Sequence, residues 1–399
     1  MPKTLAAILH PLTPVEFSTE YYSKKPLHIK DSPLKFERLF GWESLNRILN
    51  SSPVPHPTMK MVLEGKPVFP EDAKDILDAT RNGASLVLEE IHKYDLNVGK
   101  LAAGLAKDIR EPVRVNLYLS QPKRQGYNRH YDTHDVFILQ IAGYKGWQVY
   151  DFTVKFPLFK QKGHHSNPPD ELQLGCTLGP GDVLYIPRGH WHEATAQIEP
   201  SMHLTVGLYA RTGIDFLSWL TNELRADVRW RETFPLILKD ASEPSQECDP
   251  ETTDHFERLK QLIESEISEP SLLDKYRRFC IAQESKVDPF SFPSQILETK
   301  RTNPESSFVR PGYQQVSLEK RSDGKIELIV WGNILTFSGP AENILRHIFS
   351  TFAFSGHDLI DIAPELTWDD ISTVLSPLLR EELIMVVENQ TPILKEIAI

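Results

Sequence analysis

Three cysteines in 399 residues, Cys176, Cys248 and Cys280, lie far apart and none has a CxxC spacing. That excludes a disulfide framework and a cysteine-built zinc site, and it suits a reducing compartment. No run approaches the ~18 apolar residues that a membrane span needs. The apolar patch at Leu5–Leu9 is only five residues long, too short for a signal sequence, so a cytoplasmic protein is expected, or a nuclear one where a nucleus exists. Basic residues are in the minority: 44 Lys and Arg face 55 Asp and Glu, for a net charge of −11. A chain of that sign is not built to coat nucleic acid or anionic lipid. Glycine (20) is scarcer than proline (30), which points to loops and extended segments, and no repeat or low-complexity tract is visible. The length exceeds what one core serves, so two or three domains are expected.

What is present begins with strands. Val113, Val115, Leu117 and Leu119 alternate with Arg114, Asn116, Tyr118 and Ser120, a period of two. Val136–Ile141 and Trp147–Tyr150 are β-prone runs separated by the turn-like 142–146, and Val183–Ile186 and His203–Tyr209 follow. Short strands with turn punctuation predict a sandwich or barrel. After Arg211 the spacing becomes helical at Phe216–Leu224 and Phe256–Ile267, with a loop expected over Lys239–Asp254 and a linker over Ser285–Ser307. The last segment has β-prone Ile326–Trp331, helical Ala341–Phe352 and Trp368–Leu379, and β-prone Leu383–Val387.

Two clusters about sixty residues apart carry the chemistry: His130-Tyr131-Asp132, and Gly181–His192 with the turn Pro187-Arg188-Gly189. Along a strand, residues i and i+2 project on one side, ~7 Å apart at the backbone. His130 and Asp132 can therefore meet one ion while Tyr131 points away. His134 shares their parity but lies ~13 Å from His130 on an extended chain. A third donor must come from elsewhere, and His190 and His192 both qualify by parity. The competing reading is of ordinary polar residues at a strand end. Two histidines and a carboxylate suit a redox-active iron with open positions, and zinc could use the same donors in a tetrahedral shell with one water.

These clusters and their surroundings resemble the JmjC-domain oxygenases, and within them the ribosomal oxygenase branch. The matching pieces are Phe17–Ile29, Asn116-Leu117-Tyr118, His130-Tyr131-Asp132 followed by Val136–Gln140, Gly143–Trp147, Gly181–His192 and Ser201–Thr205. The resemblance implies an α+β chain in three parts. A double-stranded β-helix (jelly-roll, cupin) catalytic domain would occupy 1–211, a helical dimerisation domain 212–290, and a winged-helix-like domain 305–399. It implies a dioxygenase using Fe(II) and 2-oxoglutarate, with His130, Asp132 and His192 as iron ligands. Lys145 would grip the distal carboxylate of 2-oxoglutarate, with Tyr118 and Asn116 beside it. Taken alone, Lys145 reads as a solvated hairpin lysine and Tyr118 as a core or rim residue.

The implied substrate is a side chain in a protein, with a ribosomal protein as the family-based choice and histone demethylation less favoured. Alternatives are the same chemistry on a peptide or natural-product precursor, a non-catalytic cupin-like binding protein, or a zinc- or manganese-dependent isomerase or hydrolase. The resemblance also implies a homodimer. Residues 305–399 carry seven basic against fourteen acidic residues, so direct DNA binding is not expected there. His134, His190 and the insert Phe152–Leu174, with His164 and His165, depart from the family text and leave the target open.

Overall fold

Period-two patterning builds the first half of the chain, seen here in a computed structural model. Its strands are β1 (Leu27–Ile29), β2 (Met59–Leu63), β3 (Lys66–Val68), β4 (Ser85–Leu88), β5 (Val113–Ser120) and β6 (Asp135–Ala142). They continue as β7 (Lys145–Phe152), β8 (Leu172–Leu178), β9 (Val183–Ile186), β10 (His190–Ala196) and β11 (Ser201–Leu208). The structure describes residues 4–122, 126–158, 167–236, 250–283, 302–310 and 316–387. An eight-stranded sheet runs in the order β1-β9-β6-β11-β5-β4-β2-β3, and a three-stranded sheet in the order β10-β7-β8. All their pairings are antiparallel.

The two faces of the large sheet differ in composition. Val115, Leu117, Phe137, Leu139, Leu204 and Val206 join one core with residues of the helices α1 (Thr4–Leu9), α2 (Pro14–Glu20), α3 (Trp42–Ser51) and α5 (Leu96–Ile109). A further helix, α4 (Ala73–Arg81), adds Ile76 and Ala79 to its margin. The alternate residues Val136, Ile138, Leu184 and Ile186 pack instead against Trp147, Val149 and Leu178 of the small sheet. Because side chains in a strand alternate sides, β5 and β11 direct Asn116, Tyr118, Ser120 and His203 to this second face.

The chain falls into two compact units, residues 1–210, 286–314 and 340–399 in one and 211–285 and 315–339 in the other. The second contains α6 (Gly213–Leu224), α7 (Pro250–Ile267) and α8 (Leu272–Ala282), with Trp219, Leu220 and Leu272 at its core. Its antiparallel strands β13 (Ser317–Lys320), β14 (Ile326–Val330) and β15 (Asn333–Phe337) are tied to α8 by Arg278, 2.9 Å from Glu319 and 2.6 Å from Glu327. The C-terminal part of the first unit pairs β12 (Ser307–Val309) with β16 (Ala353–Ser355) and β17 (Met385–Val387). It also holds the helices α9 (Glu342–Ser350), α10 (Gly356–Ile362) and α11 (Trp368–Arg380).

Some boundaries differ from the sequence reading. The expected loop Lys239–Asp254 gives way to helix at Pro250, because proline's fixed φ suits the first helical turn; residues 237–249 lie outside the described residues. Of the expected linker, 285–301 lie outside them, and Ser307 already belongs to β12. His164 and His165 also fall outside. No helix among the described residues is long and apolar enough to cross a membrane.

Candidate metal centre and co-substrate pocket

His130 and Asp132 precede β6 on a segment that is not itself a strand. Its attachment is to the start of β10: His130 N donates to His192 O at 3.1 Å, His192 N to His130 O at 2.7 Å, and Gly189 N to Asp132 O at 2.8 Å. Gly189 makes this approach possible. It sits at φ +86°, and a Cβ there would stand 2.7 Å from the Val154 carbonyl oxygen, so the turn accepts only glycine without strain.

The three expected ligands come together. Donor atoms of His130, Asp132 and His192 all lie within 4.8 Å of one another, and they are the one such group of three among the described residues. His192 Nε2 is 3.8 Å from Asp132 Oδ2, and the two imidazoles are 4.5 Å apart at their centroids. Each ring is set by its other nitrogen. His130 Nδ1 lies 2.8 Å from the Asn128 carbonyl and His192 Nδ1 3.1 Å from that of His190. A carbonyl can only accept, so the Nδ1 atoms carry the protons and both Nε2 lone pairs are free for a metal. Burial, reinforced by nearby His130, holds His192 down to about 4, and the ring is therefore neutral, the form that ligates. Two imidazoles and one carboxylate fit a divalent metal held on one face.

Equal parity does not make His190 and His192 equivalent. The β10–β7 register shifts between them, with the extra residue on β7, so the two histidines meet different neighbours. His190 packs its ring against Phe152, 5.5 Å away. His134, too distant for the set on an extended chain, stacks on Tyr209 at 4.3 Å and 17°.

Lys145 is not a solvated hairpin residue; it is 5% exposed. It stands in register with Ala196, and Trp147 with Ala194, so small residues leave room beside two large ones. Burial pushes the Lys145 ammonium down to about 7. Its hydrogen bond is to Ser120 Oγ at 2.9 Å, and no carboxylate pairs with it among the described residues. Among the described residues, the buried Trp147 Nε1 and His203 Nδ1 lack partners, on rings 5.6 Å apart. Tyr118 stacks on His203 at 5.1 Å and 2°. Burial, with Asp132 nearby, raises its phenol far above the ordinary range, so it keeps its proton. Asn116 hydrogen-bonds the Tyr118 hydroxyl, and its Oδ1 accepts from Glu90 N at 2.9 Å.

A buried cation beside unpartnered donors is costly unless an anion joins it. The arrangement fits a small dicarboxylate. Sequence reasoning passed over Trp147, His203 and Ser120 as pocket residues. Their parity with Lys145 and Tyr118 on neighbouring strands was the available signal.

Residues 100–216, which span every one of these side chains, match the JmjC domain family. The chain carries a JmjC domain. Ribosomal oxygenase 1 of Gallus gallus is 29% identical over 248 residues, covering 57% of this chain and 41% of that protein. The bifunctional lysine-specific demethylase and histidyl-hydroxylase NO66 of Drosophila persimilis is 26% identical over 217 residues, covering 52% and 32%. The chain thus spans less than half the length of these curated relatives. Among solved structures, Escherichia coli ycfD aligns with a TM-score of 0.59 at 19% identity, over 94% of this chain and 98% of that one. A structure of the same ribosomal oxygenase in complex with cobalt and 2-oxoglutarate aligns at 0.58 with 17% identity, over 95% and 99%. These likenesses show the JmjC cupin-like fold.

Proposed function

We propose that this JmjC-domain chain is an Fe(II)- and 2-oxoglutarate-dependent dioxygenase that hydroxylates an amino-acid side chain of a protein. The observation that carries the reading is the convergence of His130, Asp132 and His192, backed by the buried, acid-free Lys145. When bound, iron and 2-oxoglutarate couple decarboxylation of the co-substrate by dioxygen, giving succinate and CO₂, to insertion of one oxygen atom into a C–H bond.

The protein's part is binding, orientation and exclusion of water. His130 and His192 present Nε2 because Nδ1 is committed to backbone carbonyls, and Asp132 brings the negative charge. Lys145 answers the distal carboxylate of the co-substrate, and that pairing restores its full charge. Tyr118 and His203 offer further hydrogen-bond donors on the opposite wall. Asn116 acts through Tyr118, holding its hydroxyl, and ties the strand to the Glu90 loop. The core around Val136, Ile138 and Leu184 keeps bulk water from the space behind.

The target is a protein, and a ribosomal protein is the first choice. Relatives bear the names ribosomal oxygenase and histidyl-hydroxylase, and a chain of net charge −11 suits a basic partner. The helical unit serves as a dimerisation module: Ile214, Leu217, Phe256 and Leu273 are exposed on α6–α8. The segment holding α9–α11 is winged-helix-like. Its last helix opens on Asp369 and Asp370, a poor surface for phosphate, so it serves as a protein contact and does not bind DNA. The protein acts in the cytoplasm.

The deciding experiment measures bound metal and Fe(II)-dependent succinate release for the wild type and His192→Ala, with ribosomal proteins as targets. Succinate release by the wild type alone, with the mass of one oxygen atom added to a target protein, is expected. Equal turnover by the two proteins would overturn the reading.

A further inference from the structure

The residues that alternate with the metal donors face the other way and build a second cluster, which the function above leaves without a role. Tyr131, between His130 and Asp132, meets Trp191, beside His192, edge to face at 5.0 Å, and Tyr150 completes a buried aromatic trio. On this trio lie Arg129 and Glu193, the immediate neighbours of His130 and His192. Arg129 places Nε and Nη2 at 3.1 and 2.8 Å from Glu193 Oε1. Its guanidinium lies 3.8 Å from the Tyr150 ring centroid. The Tyr150 hydroxyl accepts from Arg129 Nη2 at 2.8 Å and lies 2.8 Å from Glu193 Oε1 and 2.7 Å from Gln148 Oε1. Both charged side chains are largely sheltered, at 28% and 22% exposure.

His130 needs such a brace. It lies outside every strand and belongs to the sheet through one isolated bridge, to His192. Backbone hydrogen bonds tie the segment to β10 at His130 and at Asp132, and the twist ahead of His130 is left to side chains. A planar guanidinium, held at once by a carboxylate and an aromatic face, fixes that twist. We infer that the Arg129–Glu193 pair, seated on Tyr150, is a positioning device that sets the spacing of His130 and His192 and thereby the affinity of the site for a divalent metal. The inference rests on the metal reading of that site and extends it to residues that touch no metal.

The test titrates Co(II) into the full-length protein, following visible absorption and calorimetry, alongside melting of the metal-free protein. Glu193→Gln and Arg129→Ala should each weaken Co(II) binding roughly 10–100-fold, as removal of a group behind a ligand does. The metal-free Tm should hardly change. Arg129→Lys should recover little, because an ammonium lacks the fork. In the double variant Arg129→Ala/Glu193→Ala the loss should not exceed the larger single loss. Wild-type affinity in both single variants, with or without a drop in Tm, would overturn the inference and leave the metal site standing. No Co(II) binding by the wild type, or undiminished binding by His192→Ala, would remove the metal reading itself and this inference with it.

Discussion

The two faces of the large sheet are made by the same strands and do opposite things. On one, Val115, Leu117, Leu204 and Val206 close against helices, fully buried and wholly apolar. On the other, Tyr118, Ser120 and His203 of those same strands surround a buried lysine, and polar atoms go unpartnered. A strand of period two can thus assign stability to one side and chemistry to the other without compromise along its length. The stable face over-determines the backbone, and the reactive face draws on that rigidity to hold polar groups apart until a ligand arrives.

That division is open to attack at either face. His192→Ala should have the largest effect. Affinity for Co(II) or Fe(II) should fall by more than the ~10–100-fold seen when a residue behind a ligand is lost, with the metal-free Tm little changed; isothermal titration and thermal melts measure both. A large fall in Tm would show that the reactive face also carries the fold. Phe137→Ala, on the apolar face, should cost about 3–5 kcal/mol of stability in denaturant unfolding. Metal affinity of the folded fraction should remain at the wild-type value.

Lys145→Met should weaken 2-oxoglutarate by about 2–5 kcal/mol, the range for breaking a buried charge pair, measured by titration of the metal-loaded protein. The same lysine predicts a pH dependence for the ligand-free protein. Its folded value is depressed to about 7 against a reference of 10.5, so between those values the unfolded chain holds the extra proton. Stability should therefore rise with pH across that window, by up to ~1.4 kcal/mol per unit; below 7 the slope from this group vanishes and its full destabilising effect remains. Lys145→Met should flatten that slope; an unchanged slope would place the titration elsewhere. Tyr118→Phe should have the smallest effect. Its ring keeps the stack on His203 and only the hydroxyl is lost, about 1 kcal/mol in 2-oxoglutarate binding.

Legibility in the sequence followed the same division. The strands around the site could be read because alternation is local: Val113–Leu119, Val136–Ile141 and Val183–Ile186 all lie within strands. His130 and Asp132 were visible as a pair, since an i, i+2 spacing needs no tertiary knowledge. Parity left His190 and His192 open, and only the family resemblance selected His192; the register against β7 shifts between the two, which parity counting on a regular strand does not foresee. Lys145 was legible only through the resemblance: taken alone, a lysine beside a hairpin turn is normally solvated, and here Ala194 and Ala196 across the strand pair make room for it inside. His203 stayed hidden because its partners, Tyr118 and Trp147, belong to other strands. Pro250 was read as loop although proline opens helices as readily as it ends them.

The polypeptide leaves the first unit at residue 211, returns at 286, leaves again at 315 and comes back at 340. Neither half is therefore a continuous piece of gene. A stop codon placed after the long helices would strip α8 of the Glu319 and Glu327 carboxylates that hold Arg278. It would also remove the three C-terminal helices. Synthesis consequently cannot complete either unit before residue 339 has been added, and a truncation ahead of that point would damage both together.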